Sequence, residues 1–189
     1  MDEAIAKLQR ALYDAQRVID NVREDQLTNP TPDGDWDVRA VINHLVVGNI
    51  LTVAVVRGEQ APDRTADHLG RHFRVAFEES SRAVVQALET PSVLDEEYDM
   101  PFGKVSGRRL AAMRRNEALA HAWDIAVATG QSTNLDPELA EEALNNYRAL
   151  LDGRDRSQMP FDAEQPAPPG ANAADRLAAY LGRRVPEGT

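Results

Sequence analysis

The chain has 189 residues, enough for one domain with a substantial core and short for two. Hydrophobic residues make up 42% and charged residues 28%, the balance of an ordinary globular protein. A net charge of −10 argues against a nucleic-acid groove or an anionic membrane surface as partner, and the lack of cysteine excludes disulfides, thiolate metal sites and a cysteine nucleophile within the chain.

The opening MDEAIAKLQR has acids where a secretory signal needs a basic start and an apolar run, which leads to the expectation of a cytoplasmic protein. In the same stretch, Ile5, Leu8, Leu12, Ala15, Ile19 and Val22 recur at spacings of three and four, so residues 3–24 are predicted to form an amphipathic helix. TNPTPDGD, rich in proline, stops it. Asp37 then stands at the cap position of a second helix, VRAVINHLVVGNILTVAVVRG, with Ala40 where a reciprocal capping box needs Glu or Gln. This helix is apolar over most of its surface, which predicts a central place. Its most apolar run, LVVGNILTVAVV, is too short to span a bilayer and is broken by Asn49 and Thr52.

A third helix is predicted from about Ala66 to Leu88, on the stripe Leu69, Phe73, Ala76, Phe77, Val84 and Leu88. Its i, i+4 histidines, His68 and His72, lie off that stripe or at its edge and read as a solvated flank. VLDEEYDMPFGKVSG is a loop with a short extended piece at Glu97–Met100. A fourth helix covers about Arg108–Thr129 and stops at Gly130. Asp136-Pro137 opens a fifth, in the preferred order of cap and first-turn proline, ending near Gly153. MPFDAEQPAPPGAN is a proline-rich loop, and AADRLAAYLG a last short helix. The fold class is all-α: a four-helix bundle over about residues 3–130, with two short helices of a C-terminal extension, about 131–189, completing a single domain.

In NEALAHAWDIAVATGQ, residues 116–131, the helical period places Leu110, Met113, Glu117, His121 and Ala128 on one stripe, with Asp124 close to it. Arg109 and Arg115 face elsewhere. Glu117 and His121, four apart, reach toward one point. On the second helix His44 lies among Val41, Gly48, Leu51 and Val55, and axes 8–10 Å apart bring it within reach of that point. Two imidazoles and a carboxylate suit zinc or a similar divalent ion and leave a coordination position open. A buried Glu117–His121 hydrogen-bonded pair with His44 as a core histidine is the alternative, and periodicity alone leaves both open.

The same residues carry a resemblance. DWDVRAVINHLVVGNILTVAVVRGE, then MPFGKVSG, NEALAHAWDIAVATGQ and DRLAAYLGRR resemble, in order, the signatures of the DinB-like, mycothiol-dependent maleylpyruvate isomerase superfamily, in a short actinobacterial branch. The resemblance implies a DinB-like four-helix bundle holding a divalent metal, zinc or nickel, through His44, Glu117 and His121. It further implies a mycothiol-dependent transferase or isomerase in which a small thiol meets a small electrophilic substrate, and a possible homodimer. Full isomerases of the superfamily carry an additional C-terminal domain that helps to form the active site, whereas the segment after Gly130 reads here as two helices and a loop; maleylpyruvate itself is therefore not the expected substrate. A non-catalytic metal- or ligand-binding module and a metal-dependent hydrolase remain as other readings. Around the ligands, Asp124 is a candidate to orient a histidine, Arg114 to steer an anion or to form an exposed ion pair, Asn49 to pack, and Phe102 and Gly103 to shape a pocket mouth.

Overall fold

The structure is a computed structural model describing residues 1–34, 36–154, 156 and 161–186. Six helices carry it: α1 (Glu3–Asp20), α2 (Val38–Arg57), α3 (Phe73–Leu88), α4 (Gly107–Thr129), α5 (Pro137–Leu151) and α6 (Ala173–Tyr180). Strands β1 (Glu97–Met100) and β2 (Gly103–Ser106) pair antiparallel as a small hairpin between α3 and α4. α1 packs on α3 and α4, and α2 packs on the same two helices from the other side, which closes the four-helix bundle. α5 and α6 pack on each other and on α4. One apolar core runs through all of this, from Ile5 and Leu8 through Leu45 and Trp123 to Leu139 and Leu181.

The caps explain where the helices begin. The Asp37 carboxylate accepts from the Ala40 amide at 2.8 Å, Ser106 caps α4 through the Arg109 amide, and Asp136 caps α5 through the Leu139 amide. α2 has the length and apolar composition of a membrane span when all of Val38–Arg57 is counted, but 56% of its most apolar window is buried inside the bundle, as befits a core helix. α4 is buried on most of its faces, since α1, α2, α5 and α6 all cover it.

Two boundaries differ from the sequence reading. α1 ends at Asp20, and a 3-10 turn at Glu24–Gln26 follows, with Gln26 donating to the Thr129 carbonyl and Asn29 to that of Ala128. α3 begins at Phe73, seven residues after the predicted Ala66. Side chains of α2 hold the preceding segment in turns: Asn43 donates to the Ala66 carbonyl and accepts from the His68 amide, while Arg39 binds Asp67 and the Gly70 carbonyl. His68 therefore lies in a loop, half-buried, and His72 is the exposed residue before α3. Asp35, within the stretch matched by resemblance, and Met159 and Pro160 of the proline-rich loop lie outside the described residues.

Candidate metal centre

Helices α2 and α4 cross so that His44, Glu117 and His121 meet. His44 Nε2 lies 3.0 Å from Glu117 Oε2, and His121 Nε2 lies 3.5 Å from the same oxygen. The two imidazole centroids are 4.9 Å apart, nearly edge to face, and one donor atom from each of the three residues falls within 4.8 Å of the others. Donors on a tetrahedral zinc with bonds of 2.0–2.1 Å stand about 3.3 Å apart, so this donor set fits a small divalent ion with modest adjustment. His121 is buried, while the side chains of His44 and Glu117 keep 28% and 30% exposure, so the triad is closed behind His121 and open in front of the other two.

Electrostatics follow from that placement. Burial pushes the Glu117 carboxyl up, but hydrogen bonds with His121 and His44 outweigh it and hold the group well below its ordinary value. Burial pushes His121 down, yet its bonds with Asp124 and Glu117 raise it to about 9. The metal-free site therefore holds a protonated imidazole at neutral pH.

Behind His121 the arrangement is tight. Its Nδ1 lies 3.0 Å from Asp124 Oδ2 and 3.6 Å from Asp33 Oδ2. Arg183 grips Asp124 with two bonds, Nε to Oδ1 at 3.2 Å and Nη2 to Oδ2 at 3.1 Å, and reaches Asp33 at 2.9 Å. The turn ending α6 delivers this arginine. The Gly182 amide bonds the Ala179 carbonyl and the Arg183 amide that of Ala178, a reversal that needs the positive φ of Gly182, +96°. Asp33 and Trp36 come from the turn before α2, closed by Thr31, whose amide and hydroxyl both donate to the Trp36 carbonyl. Trp36, 38% exposed, lies over the open face, its ring 4.8 Å from that of His44 and 6.2 Å from that of His121.

The family described as mycothiol maleylpyruvate isomerase N-terminal domain matches residues 8–126, a span that includes all three triad residues. The chain belongs to this family. Two Mycobacterium tuberculosis proteins, from strains CDC 1551 / Oshkosh and ATCC 25618 / H37Rv and both described as uncharacterized, are 38% identical to it over 98% of this chain and the whole of their own length. In three dimensions it resembles crystal structures of a mycothiol-dependent maleylpyruvate isomerase and of a histidine-to-alanine mutant of that enzyme. Each has a TM-score of 0.61, at 17% and 16% identity, over 80% of this chain and 72% of the other. At that identity the likeness concerns the fold.

Within the mycothiol maleylpyruvate isomerase fold, the remaining candidates divide. Asp124 touches His121, as a ligand-orienting group must, and forms the buried ion pair as well. Asn49 is fully buried and bonds Ser80 and Ser81. Trp123 is buried away from the triad, its indole N–H donating to Asp175 at 2.8 Å and so tying α4 to α6. Phe102 stands 62% exposed at the hairpin tip, and no described contact joins it to the triad. Arg114 is not in an exposed ion pair: it is buried against α2, because Gly48 leaves room for its guanidinium. Arg115 faces away from the triad as expected but is buried, bound to Glu142 and Asn116. Asp33, Trp36 and Arg183 escape a reading by helical period because all three sit in turns. A tryptophan directly before a helix cap and a glycine-arginine pair ending α6 are the only local signals they leave.

Proposed function

We propose that this chain binds a divalent metal, zinc or nickel, through His44, Glu117 and His121, and that it uses a small thiol, mycothiol, to isomerise or transfer onto a small electrophilic substrate. The observation that carries this reading is the convergence of three donor atoms within 4.8 Å on the open side of a bundle whose family is known by its thiol-dependent isomerase. A bound ion would supply the lowering of a thiol's pKa at its open coordination position. The chain's own residues do the rest. Asp124 accepts from His121 Nδ1, which fixes the tautomer and leaves Nε2 free to act as a ligand. The half-exposed faces of His44 and Glu117 leave the approach open, and Trp36 offers an aromatic wall beside it. The two C-terminal helices share the bundle's core, which supports reading residues 1–189 as a single unit.

The test is metal content of tag-free protein together with thiol binding. Near-stoichiometric zinc or nickel in the wild type, lost in His44→Ala and Glu117→Ala, together with metal-dependent thiol binding, is the expected result. No metal after reconstitution would overturn the metal site. Metal without thiol binding, where chelation only lowers the melting temperature, would make it a structural ion.

A further inference from the structure

Behind the triad, Asp33, His121 and Asp124 each offer one donor atom, and those atoms fall within 4.8 Å of one another. This set is distinct from the triad, because it uses His121 Nδ1, 3.0 Å from Asp124 and 3.6 Å from Asp33, whereas Glu117 faces Nε2. Asp124 is fully buried and Asp33 half-buried. Two carboxylates so close repel each other, and a charge out of water is costly unless it is paired. Two oxygens and an imidazole nitrogen are also a donor set that suits a small divalent ion.

A cation already stands among them. Arg183 Nη2 lies 2.9 Å from Asp33 Oδ1 and 3.1 Å from Asp124 Oδ2, so a single nitrogen touches both carboxylates, where one ion would. Its Nε takes the other Asp124 oxygen at 3.2 Å, and its Nη1 donates back to the Leu181 carbonyl at 3.3 Å. Of the buried arginines described, Arg115 faces one carboxylate, Glu142, and Arg183 faces two. A guanidinium brings these two carboxylates half the charge that a divalent ion carries. The arginine reaches this place because the chain turns sharply after α6. Gly182 packs on Asp162, where a Cβ would stand 2.5 Å from the Asp162 Cβ, so glycine is what lets the turn close.

We infer that Asp33, His121 and Asp124 form a second pocket for a divalent cation, back to back with the triad across the His121 ring, and that Arg183 is its resident occupant. The C-terminal turn thus supplies from within the chain the charge that an ion would bring, and keeps a free ion out of this pocket. The inference uses neither His44, Glu117 nor His121 Nε2, so it stands or falls apart from the metal reading above.

Zinc content is measured against His44→Ala, which lacks a triad ligand and in which Arg183 still fills the pocket. His44→Ala/Arg183→Ala empties the place, where glutamine would leave an amide in it. This double variant is expected to bind one further zinc per chain after dialysis, and its melting temperature to rise with zinc, as for a ligand of the native state alone. Adding Asp33→Ala is expected to abolish both effects. Guanidinium ion at tens of millimolar, which refills the same place, is expected to weaken zinc binding severalfold. A folded double variant with no further zinc, or further zinc that survives Asp33→Ala, would overturn the pocket. Zinc affinity indifferent to guanidinium would overturn Arg183 as its occupant. If the double variant does not fold without metal, it is refolded with zinc and its helix content followed: recovery that depends on Asp33 supports the pocket, and no recovery overturns it. The reading of the triad is untouched by these outcomes, since the metal content of the wild type decides it.

Discussion

His121 joins the two halves of the site, since one ring nitrogen faces Glu117 and the other Asp124. Asp124→Asn keeps the shape but removes the charged acceptor. On the proposed metal reading, zinc affinity measured by competition with a chelator should then fall about 10- to 100-fold, the usual effect of removing the acceptor behind a metal-bound histidine. In metal-free protein the imidazole is raised from 6.5 to about 9, so it binds its proton more tightly folded than unfolded. The stability this provides is complete below pH 6.5 and is lost as pH rises through about 9, at a slope of up to about 1.4 kcal/mol per pH unit. Thermal melts of chelated protein should show that decline, and His121→Gln should flatten it. The meeting of His44, Glu117 and His121 was legible because each stands on a helical face where spacing fixes direction, but spacing left a buried hydrogen-bonded pair open as well, and only the family resemblance suggested ligands. Arg114 was legible as a position but not as a state. A wheel shows which way a side chain leaves the helix, not that a glycine on the neighbouring helix has made space for it.

α2 brings His44 to the site and, at Gly48, leaves room for the buried Arg114 of α4, so its register matters more than its stability alone. Asp37 sets that register at the N-terminus. Asp37→Ala should cost about 1 kcal/mol in denaturant unfolding, and Asp37→Ser should recover most of it. The helices themselves were readable, because periodic apolar positions and caps report the same ends: Gly130 and Asp136 stand where the sequence put them. The start of α3 was not. There the stripe from Leu69 to Phe73 continues a helical pattern, but Asn43 and Arg39 of α2 bind the backbone and side chains of 66–70 in turns, and such long-range bonds leave no periodic trace. The extended piece at Glu97–Met100 was readable, while its partner strand Gly103–Ser106 was not, since pairing across a four-residue strand is decided by the turn between.

For the whole molecule, the centre draws on three separated parts of the chain: the turn at Asp33–Trp36 with α2, the middle of α4, and Arg183 beyond α6. Arg183→Gln leaves the fully buried Asp124 with the His121 imidazole as its remaining partner, and breaking a buried pair on one side costs up to about 3–5 kcal/mol. Calorimetry should show a melting temperature well below wild type, and zinc affinity should fall with it, although Arg183 is not a ligand. Trp36 gives a second global readout. Its ring lies tilted 4.8 Å from that of His44 while Trp123 is sealed in the core, so cobalt loading should quench the solvent-exposed part of the emission, and Trp36→Phe should abolish that response.

The Arg183 clamp also fixes an order of events during synthesis. α2 and α4 leave the ribosome long before residue 183, so the nascent bundle can present two imidazoles and a carboxylate while the ring of His121 is still free to turn. On the metal reading proposed above, an ion captured at that stage would meet a looser set of donors than the finished protein offers, and docking of the C-terminal turn would set the selectivity last.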